Sequence, residues 1–392
     1  MRIKVLWAMA LAMVLLPMVM ACSAKRNDMP LGQGSFEAYR RDVEEFLRDK
    51  RKFLNQDESQ ELAFNSPREW RPEGKAGKAG KPGKGILLVH GLGDSPFSFS
   101  DVGPELARRG FLVRAILLPG CGSNPGDLIG VSVEDWRRVV SEQAGILAGE
   151  VGELYLGGFS NGANLALEYA MDHPEVKGLL LFSPAMVPDT SLDFLAPLAA
   201  VFSDWILRPG PGQPDKFPHR YAVVPTNAFA QYYYASVSVR RRLRDTPYAR
   251  PVAMVVSERD SVLDVPETLR LFEESFTSPE SRLIYYGDKP LGDVGRAFVR
   301  PGKVPGYRVS SFSHMGVLFS PENGEYGVDA KSRICQNGQT SEVQRRCLAG
   351  GEVWYSAWGH RVEGKDHARL TFNPYFDWQM ETIAGVLSPG RK

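Results

Sequence analysis

Six short apolar runs recur along the chain, at Ile86–Val89, Phe111–Leu118, Leu154–Leu156, Leu179–Phe182, Val252–Val256 and Leu283–Tyr286. Runs of this length suit strands buried on both faces. Between them, Asp101–Arg109, Val133–Leu147, Asn161–Met171 and Val265–Phe276 carry helical spacing. Ser132 with Asp135 marks one helix start, and Asn373-Pro374 opens the last helix as cap and first-turn proline. Such alternation predicts an α/β fold, with a mostly parallel central sheet and helices on both faces. No internal repeat interrupts it.

The 392 residues carry 47 Lys+Arg against 46 Asp+Glu, a formal net charge of +1, and 43% hydrophobic residues. That balance excludes a disordered chain or a coiled coil and gives no reason to expect nucleic acid as a partner. Residues 1–21 form a secretory signal: Arg2 and Lys4, an apolar run from Val5 to Met20, then Ala21 before Cys22. Val19-Met20-Ala21-Cys22 resembles a bacterial lipobox, with Met20 where a small residue is usual. Cys22 is therefore expected to carry lipid and to anchor the chain to a membrane of the cell envelope, the outer membrane favoured by Ser23. An ordinary cleaved signal and an uncleaved anchor are the alternatives. Export makes Cys335 and Cys347, which enclose eleven residues, an expected disulfide. Zinc is disfavoured because neither cysteine sits in a C-x-x-C pair. Cys121 is left over.

Residues 22–84 are expected to comprise a tether, an amphipathic helix over Ser35–Leu54 and a Gly/Lys linker at Gly74–Gly85, leaving 85–392 as the α/β domain. Two stretches do not fit the strand–helix alternation, Val187–Arg250 and Leu318–Thr371. Insertions of that size serve as lids or binding loops. In the first, Leu192, Phe194, Leu195, Leu198, Phe202 and Trp205 suit a lid over an acyl pocket, or else pack on the core.

The chemistry sits at strand ends. Leu154–Gly162 runs from a strand through Gly158-Phe159-Ser160-Asn161-Gly162 into a helix, the G-x-S-x-G elbow that presents Ser160 as a nucleophile. His90-Gly91-Leu92-Gly93 follows the first apolar run, and the Leu92 and Asn161 amides would form an oxyanion hole. His90 itself reads as structural. Asp260 follows the Val252–Val256 strand as the orienting acid, with Glu258 and Asp264 as neighbours. His314 is the candidate base, placed after a short Tyr307–Val309 run. His360 and His367 in the second insertion are its competitors, read as loop or surface residues, and His173 and His219 also read as surface residues. The order Ser160, Asp260, His314 is that of hydrolases.

These residues, with Leu118-Pro119-Gly120-x-Gly122, resemble the α/β-hydrolases of the monoacylglycerol lipase and carboxylesterase type, grouped with serine aminopeptidase-like hydrolases. Cys121 departs from the histidine usual in that loop. The resemblance implies acyl transfer to water: Ser160 attacks, His314 shuttles the proton and Asp260 holds the imidazole. It requires no cofactor and no metal, and no H-E-x-x-H or dinucleotide fingerprint points elsewhere. The expected partner is a small ester with an acyl or lipid-like part. A serine peptidase and a catalytically silent envelope scaffold on the same fold are the competing readings.

Overall fold

The computed structural model describes residues 28–72, 81–208, 217–291, 294–330 and 332–387. The signal segment, Cys22 and most of the Gly/Lys segment lie outside these residues. The described chain opens with α1 (Phe36–Lys50) and α2 (Glu58–Asn65). Ser35 caps α1 by accepting the Ala38 amide at 3.2 Å. Phe36, Tyr39, Val43 and Leu47 then fall on one buried face. The Tyr39 hydroxyl donates to Leu117 O at 2.9 Å and accepts from the Leu117 amide at 3.1 Å, so α1 is fixed to the body.

After β1 (Arg68–Trp70) come β2 (Lys84–Val89), α3 (Val102–Arg108), β3 (Phe111–Ile116), α4 (Val133–Glu150), β4 (Glu153–Phe159), α5 (Asn161–Asp172) and β5 (Val176–Phe182). The first insertion holds α6 (Ala196–Phe202) and α7 (Thr226–Asp245). β6 (Val252–Ser257), α8 (Val265–Ser275), β7 (Arg282–Tyr286) and β8 (Ala297–Arg300) follow. The second insertion carries α9 (Ser341–Leu348), β9 (Trp354–Ser356) and β10 (His367–Arg369), and α10 (Phe376–Leu387) closes the described chain. Ser132 and Asp135 form a complete capping box at α4. At the last helix Asn373 accepts the Tyr375 amide at 2.8 Å, and α10 starts two residues beyond Pro374.

Eight strands form one sheet in the order β1-β3-β2-β4-β5-β6-β7-β8. Only β1 runs antiparallel. Alternate side chains enter two separate cores. Leu87, Val89, Leu156 and Met254 meet α1, α4, α5, α7 and α8 on one face. Ile86, Leu88, Tyr155 and Val255 meet α3, α10 and the second insertion on the other. The six apolar runs are strands because both of their faces are covered. This is the α/β-hydrolase arrangement.

Three expectations need correction. β1 lies ahead of residue 85, so the sheet draws on the segment read as tether and linker. Its three residues are Arg68, Glu69 and Trp70, and Glu69 pairs with Arg114 of β3 at 2.8 Å, a charged edge with no apolar run to betray it. The last strand of the central sheet is β8, whose residues are half-buried or exposed, whereas Tyr307 ends a 3-10 turn (Pro305–Tyr307) and Arg308 is left-handed at φ 54°. In the first insertion, Leu192, Phe194, Leu195, Leu198 and Phe202 do not pack on the core: they are 41–79% exposed, and only Trp205 is half-buried.

The second insertion packs on the α3/α10 face. Cys335 and Cys347 are disulfide-bonded and buried. The insertion is stitched to the loop after β8: Val309 bridges Tyr355, and Ser313 Oγ donates to Leu370 O at 2.5 Å.

Candidate active site

Ser160 lies between β4 and α5 at φ 54°, ψ −120°, a backbone conformation that a serine adopts only under constraint. The constraint is the close approach of two main chains. A Cβ at Gly158 would overlap the Gly162 carbonyl, and one at Gly162 would overlap the carbonyls of Val89 and His90. Helix and strand can therefore meet only with glycine at both positions. The Ser160 amide donates to Phe182 O at 3.0 Å and its carbonyl accepts from Ala163 and Ala185, holding the turn at the carboxyl end of the sheet.

Asp260 sits in the loop after β6, its side chain fully buried. Its Oδ1 accepts the amides of Val262 at 2.9 Å and Leu263 at 3.3 Å. Both carboxylate oxygens lie within reach of His314 Nδ1, at 2.9 and 2.7 Å. His314 follows β8 on the loop that Ser183 and Ser257 tie to the ends of β5 and β6, through His314 O at 2.8 Å and Ser313 O at 3.3 Å. Its ring lies on Phe159, with centroids 4.9 Å apart. Ser160, Asn161, Leu92 and His314 line one open cavity of about 240 Å³. Among the described residues no hydrogen bond joins Ser160 Oγ to the imidazole, and the Leu92 and Asn161 amides have no protein acceptor outside helices and strands. Two donors thus stand unused beside the serine.

The rejected candidates do other work or lie away from the cavity. His90 donates from Nδ1 to Gly91 O at 2.8 Å and accepts the Leu118 amide on Nε2 at 3.0 Å, which locks the turn after β2 to the loop after β3. Burial lowers its pKa to about 4, so it stays neutral. Glu258 accepts the amides of Asp288 and Lys289, at 2.7 and 3.0 Å, and Asp264 caps α8. Neither His360 nor His367 lines the cavity. Cys121 is buried, and burial raises its thiol to about 12, which removes the reactivity of a thiolate.

Two surface assignments fail. His367 is buried, its Nδ1 3.1 Å from Lys365 O. His219 is fully buried against Phe97 and Tyr326, at 4.6 and 4.7 Å between centroids, and neither ring nitrogen has a partner. Its aromatic neighbours come from β-loop and insertion segments remote in sequence, which local pattern cannot reveal. His173 is half-buried and stacked on Tyr169 at 3.7 Å.

Several cavity residues carry no sequence signal. The apolar wall comes from Phe159, Phe229, Val262 and Met315, not from the apolar cluster expected as a lid. Tyr232 of α7 contributes a buried hydroxyl without a partner. Asp94, Arg220 and Arg369 add charge.

Residues 80–213 match the serine aminopeptidase S33 family. A thermostable monoacylglycerol lipase of Bacillus sp. (strain H-257) is 30% identical over 102 residues, 26% of this chain and 41% of the lipase. The chain thus spans less than half the length of that relative. Among solved structures, a monoglyceride lipase from Saccharomyces cerevisiae is 15% identical, covering 59% of this chain and 85% of its own, at a TM-score of 0.44. A structure from work on the metagenome-derived lipolytic enzymes LipS and LipT is 20% identical, covering 56% and 86%, at 0.45.

Proposed function

We propose that this chain is a monoacylglycerol lipase/esterase-like α/β-hydrolase that cleaves carboxylic esters through an acyl-enzyme on Ser160. One observation carries the reading: a buried carboxylate grips His314 Nδ1 beside a serine held at φ 54° in the same cavity. With the proton kept on Nδ1, Nε2 is the base. Ser160 Oγ attacks the ester carbonyl as His314 takes its proton. The oxygen that gains charge is met by the Leu92 and Asn161 amides, each worth about 3–4 kcal/mol in comparable sites. Collapse expels the alcohol, protonated by His314. Water, deprotonated by His314, then releases the acid and restores Ser160.

Ester is favoured over aminoacyl amide because a substrate amine needs an uncompensated carboxylate. Asp94, the carboxylate lining the cavity with Ser160, already faces Arg220. The test is fluorophosphonate labelling of Ser160, followed by p-nitrophenyl esters of increasing chain length beside aminoacyl p-nitroanilides. Labelling with ester turnover supports the reading. Turnover of anilides alone makes it a peptidase, and no labelling makes it a scaffold.

Export and lipid anchoring at Cys22 form part of the same proposal. The Cys335–Cys347 bridge supports an oxidising compartment. Among the described residues no helix is long and apolar enough to cross a membrane.

A further inference from the structure

Arg369 ends β10, in the disulfide-bearing insertion, and reaches the cavity of Ser160 and His314. The insertion frames its guanidinium: Nε donates to Asn337 Oδ1 at 2.6 Å and Nη2 to Gln336 O at 3.1 Å. Asn337, two residues beyond Cys335, is itself buried and donates to Ser356 Oγ at 2.9 Å. Among the described residues Nη1 has no acceptor, and no carboxylate lies within ion-pair distance of Arg369. Burial, followed by the nearby Arg220, lowers its pKa to about 10, so it remains a cation at neutral pH.

Arg220 enters the cavity from the first insertion and contacts Met315 Sδ at 3.4 Å. The other charges here are accounted for. Asp94 faces Arg220, and Asp260 is engaged by His314 and two backbone amides. Arg369 is left without a counter-charge. Withdrawing a cation from water without a partner is costly, and a second cation beside it adds to the cost. A ligand anion would remove both penalties, and a guanidinium fork suits the paired oxygens of a carboxylate or a phosphate.

We infer that Arg369, backed by Arg220, receives an anionic group, carboxylate or phosphate, on the ester that Ser160 cleaves. The inference rests on the esterase reading and narrows its substrate class. It also gives the second insertion a task, that of presenting a cation to the substrate.

The experiment compares neutral and anionic twins. p-Nitrophenyl butyrate is set beside mono-p-nitrophenyl glutarate, and 1-lauroylglycerol beside its 3-phosphate. The expected result is that one anionic ester exceeds its neutral twin in kcat/KM by about tenfold or more at low salt. The pair that shows this tells carboxylate from phosphate. The preference should fall about tenfold in Arg369→Gln, survive in part in Arg369→Lys, and shrink as ionic strength rises. Lys365→Gln removes an exposed charge from the same insertion and should leave the preference alone. Where Arg369→Gln does not fold, Arg220→Gln and Arg369→Lys carry the comparison. Equal or greater turnover of both neutral twins overturns the inference, as does a preference that survives in folded Arg369→Gln. If Ser160 is not labelled and no ester turns over, the esterase reading fails by itself. Calorimetry of glutarate and glycerol 3-phosphate with the Ser160→Ala protein then decides the arginine site. Binding lost in Arg369→Gln supports it, and absence of binding overturns it.

Discussion

Asp260 meets His314 Nδ1 with both carboxylate oxygens, at 2.9 and 2.7 Å, while two backbone amides hold Oδ1 from the other side. The acid can neither turn away nor leave the imidazole in the wrong tautomer. Ser160→Ala and His314→Ala are each expected to lower kcat by about 10⁴-fold or more on a short-chain ester, and the double variant to be little worse. Asp260→Asn should cost about 10³–10⁴-fold through the tautomer it imposes. Glu258→Gln, whose side chain accepts two backbone amides, and His360→Ala, which does not line the cavity, should stay within about tenfold. A costly His360→Ala would mean that the base comes from the insertion.

Close approach at the elbow makes a sharp contrast between glycines. Gly162→Ala forces a Cβ into two main-chain carbonyls, which cannot yield, and should destabilise the protein by more than about 2 kcal/mol. At Gly145, exposed in the middle of α4, an added Cβ would meet nothing within 4 Å, so Gly145→Ala should stabilise by about 0.5–1 kcal/mol. Denaturant midpoints of the two variants check the pair. Similar shifts in the same direction would refute the steric account.

His219 offers a test of buried polarity. Both of its nitrogens are unpartnered among aromatic rings, and burial holds its pKa well below 6.5. The unfolded chain takes up a proton near pH 6.5 that the folded protein refuses, so the histidine's contribution to stability worsens as pH falls through that value. His219→Phe should therefore stabilise by about 1 kcal/mol at pH 7 and by more at pH 5. Urea midpoints at the two pH values measure the difference. A variant less stable at pH 5 than the parent would exclude it.

Peptide mapping without reductant should recover Cys335 linked to Cys347. Cys121 should resist alkylation until the protein unfolds, because its thiol is buried and raised to about 12. Replacing both bridged cysteines by serine should cost about 2–3 kcal/mol for a loop of that length. Rapid labelling of Cys121 in the native protein would contradict its burial.

Cys22→Ser should move the protein from the membrane fraction to the soluble fraction without loss of esterase activity. Unchanged fractionation would defeat the lipobox reading.

What could be read in the sequence was whatever depends on neighbours along the chain. The six core strands announced themselves because double burial forces continuous apolar runs, and the elbow because its glycines flank the serine within five residues. β1 and β8 stayed hidden because an edge strand needs no such run, and Glu69 and Arg114 stabilise the first through charge instead. Arg220 and Arg369 stand 149 positions apart, in two insertions, and only folding brings them to one cavity. His219 escaped for the same reason, since composition places histidine at surfaces while its aromatic surroundings are assembled from Phe64, Phe97 and Tyr326.

Met29 is already part of the core, 5% exposed and seated with α1 against the body. Seven residue steps separate it from Cys22, a leash of at most about 25 Å even when drawn straight. If Cys22 carries lipid, as proposed, a protein so rooted could not patrol the space between two membranes. It would graze the leaflet that holds it, and the esters it is proposed to cleave would come from that leaflet or drift to within a body's width of it.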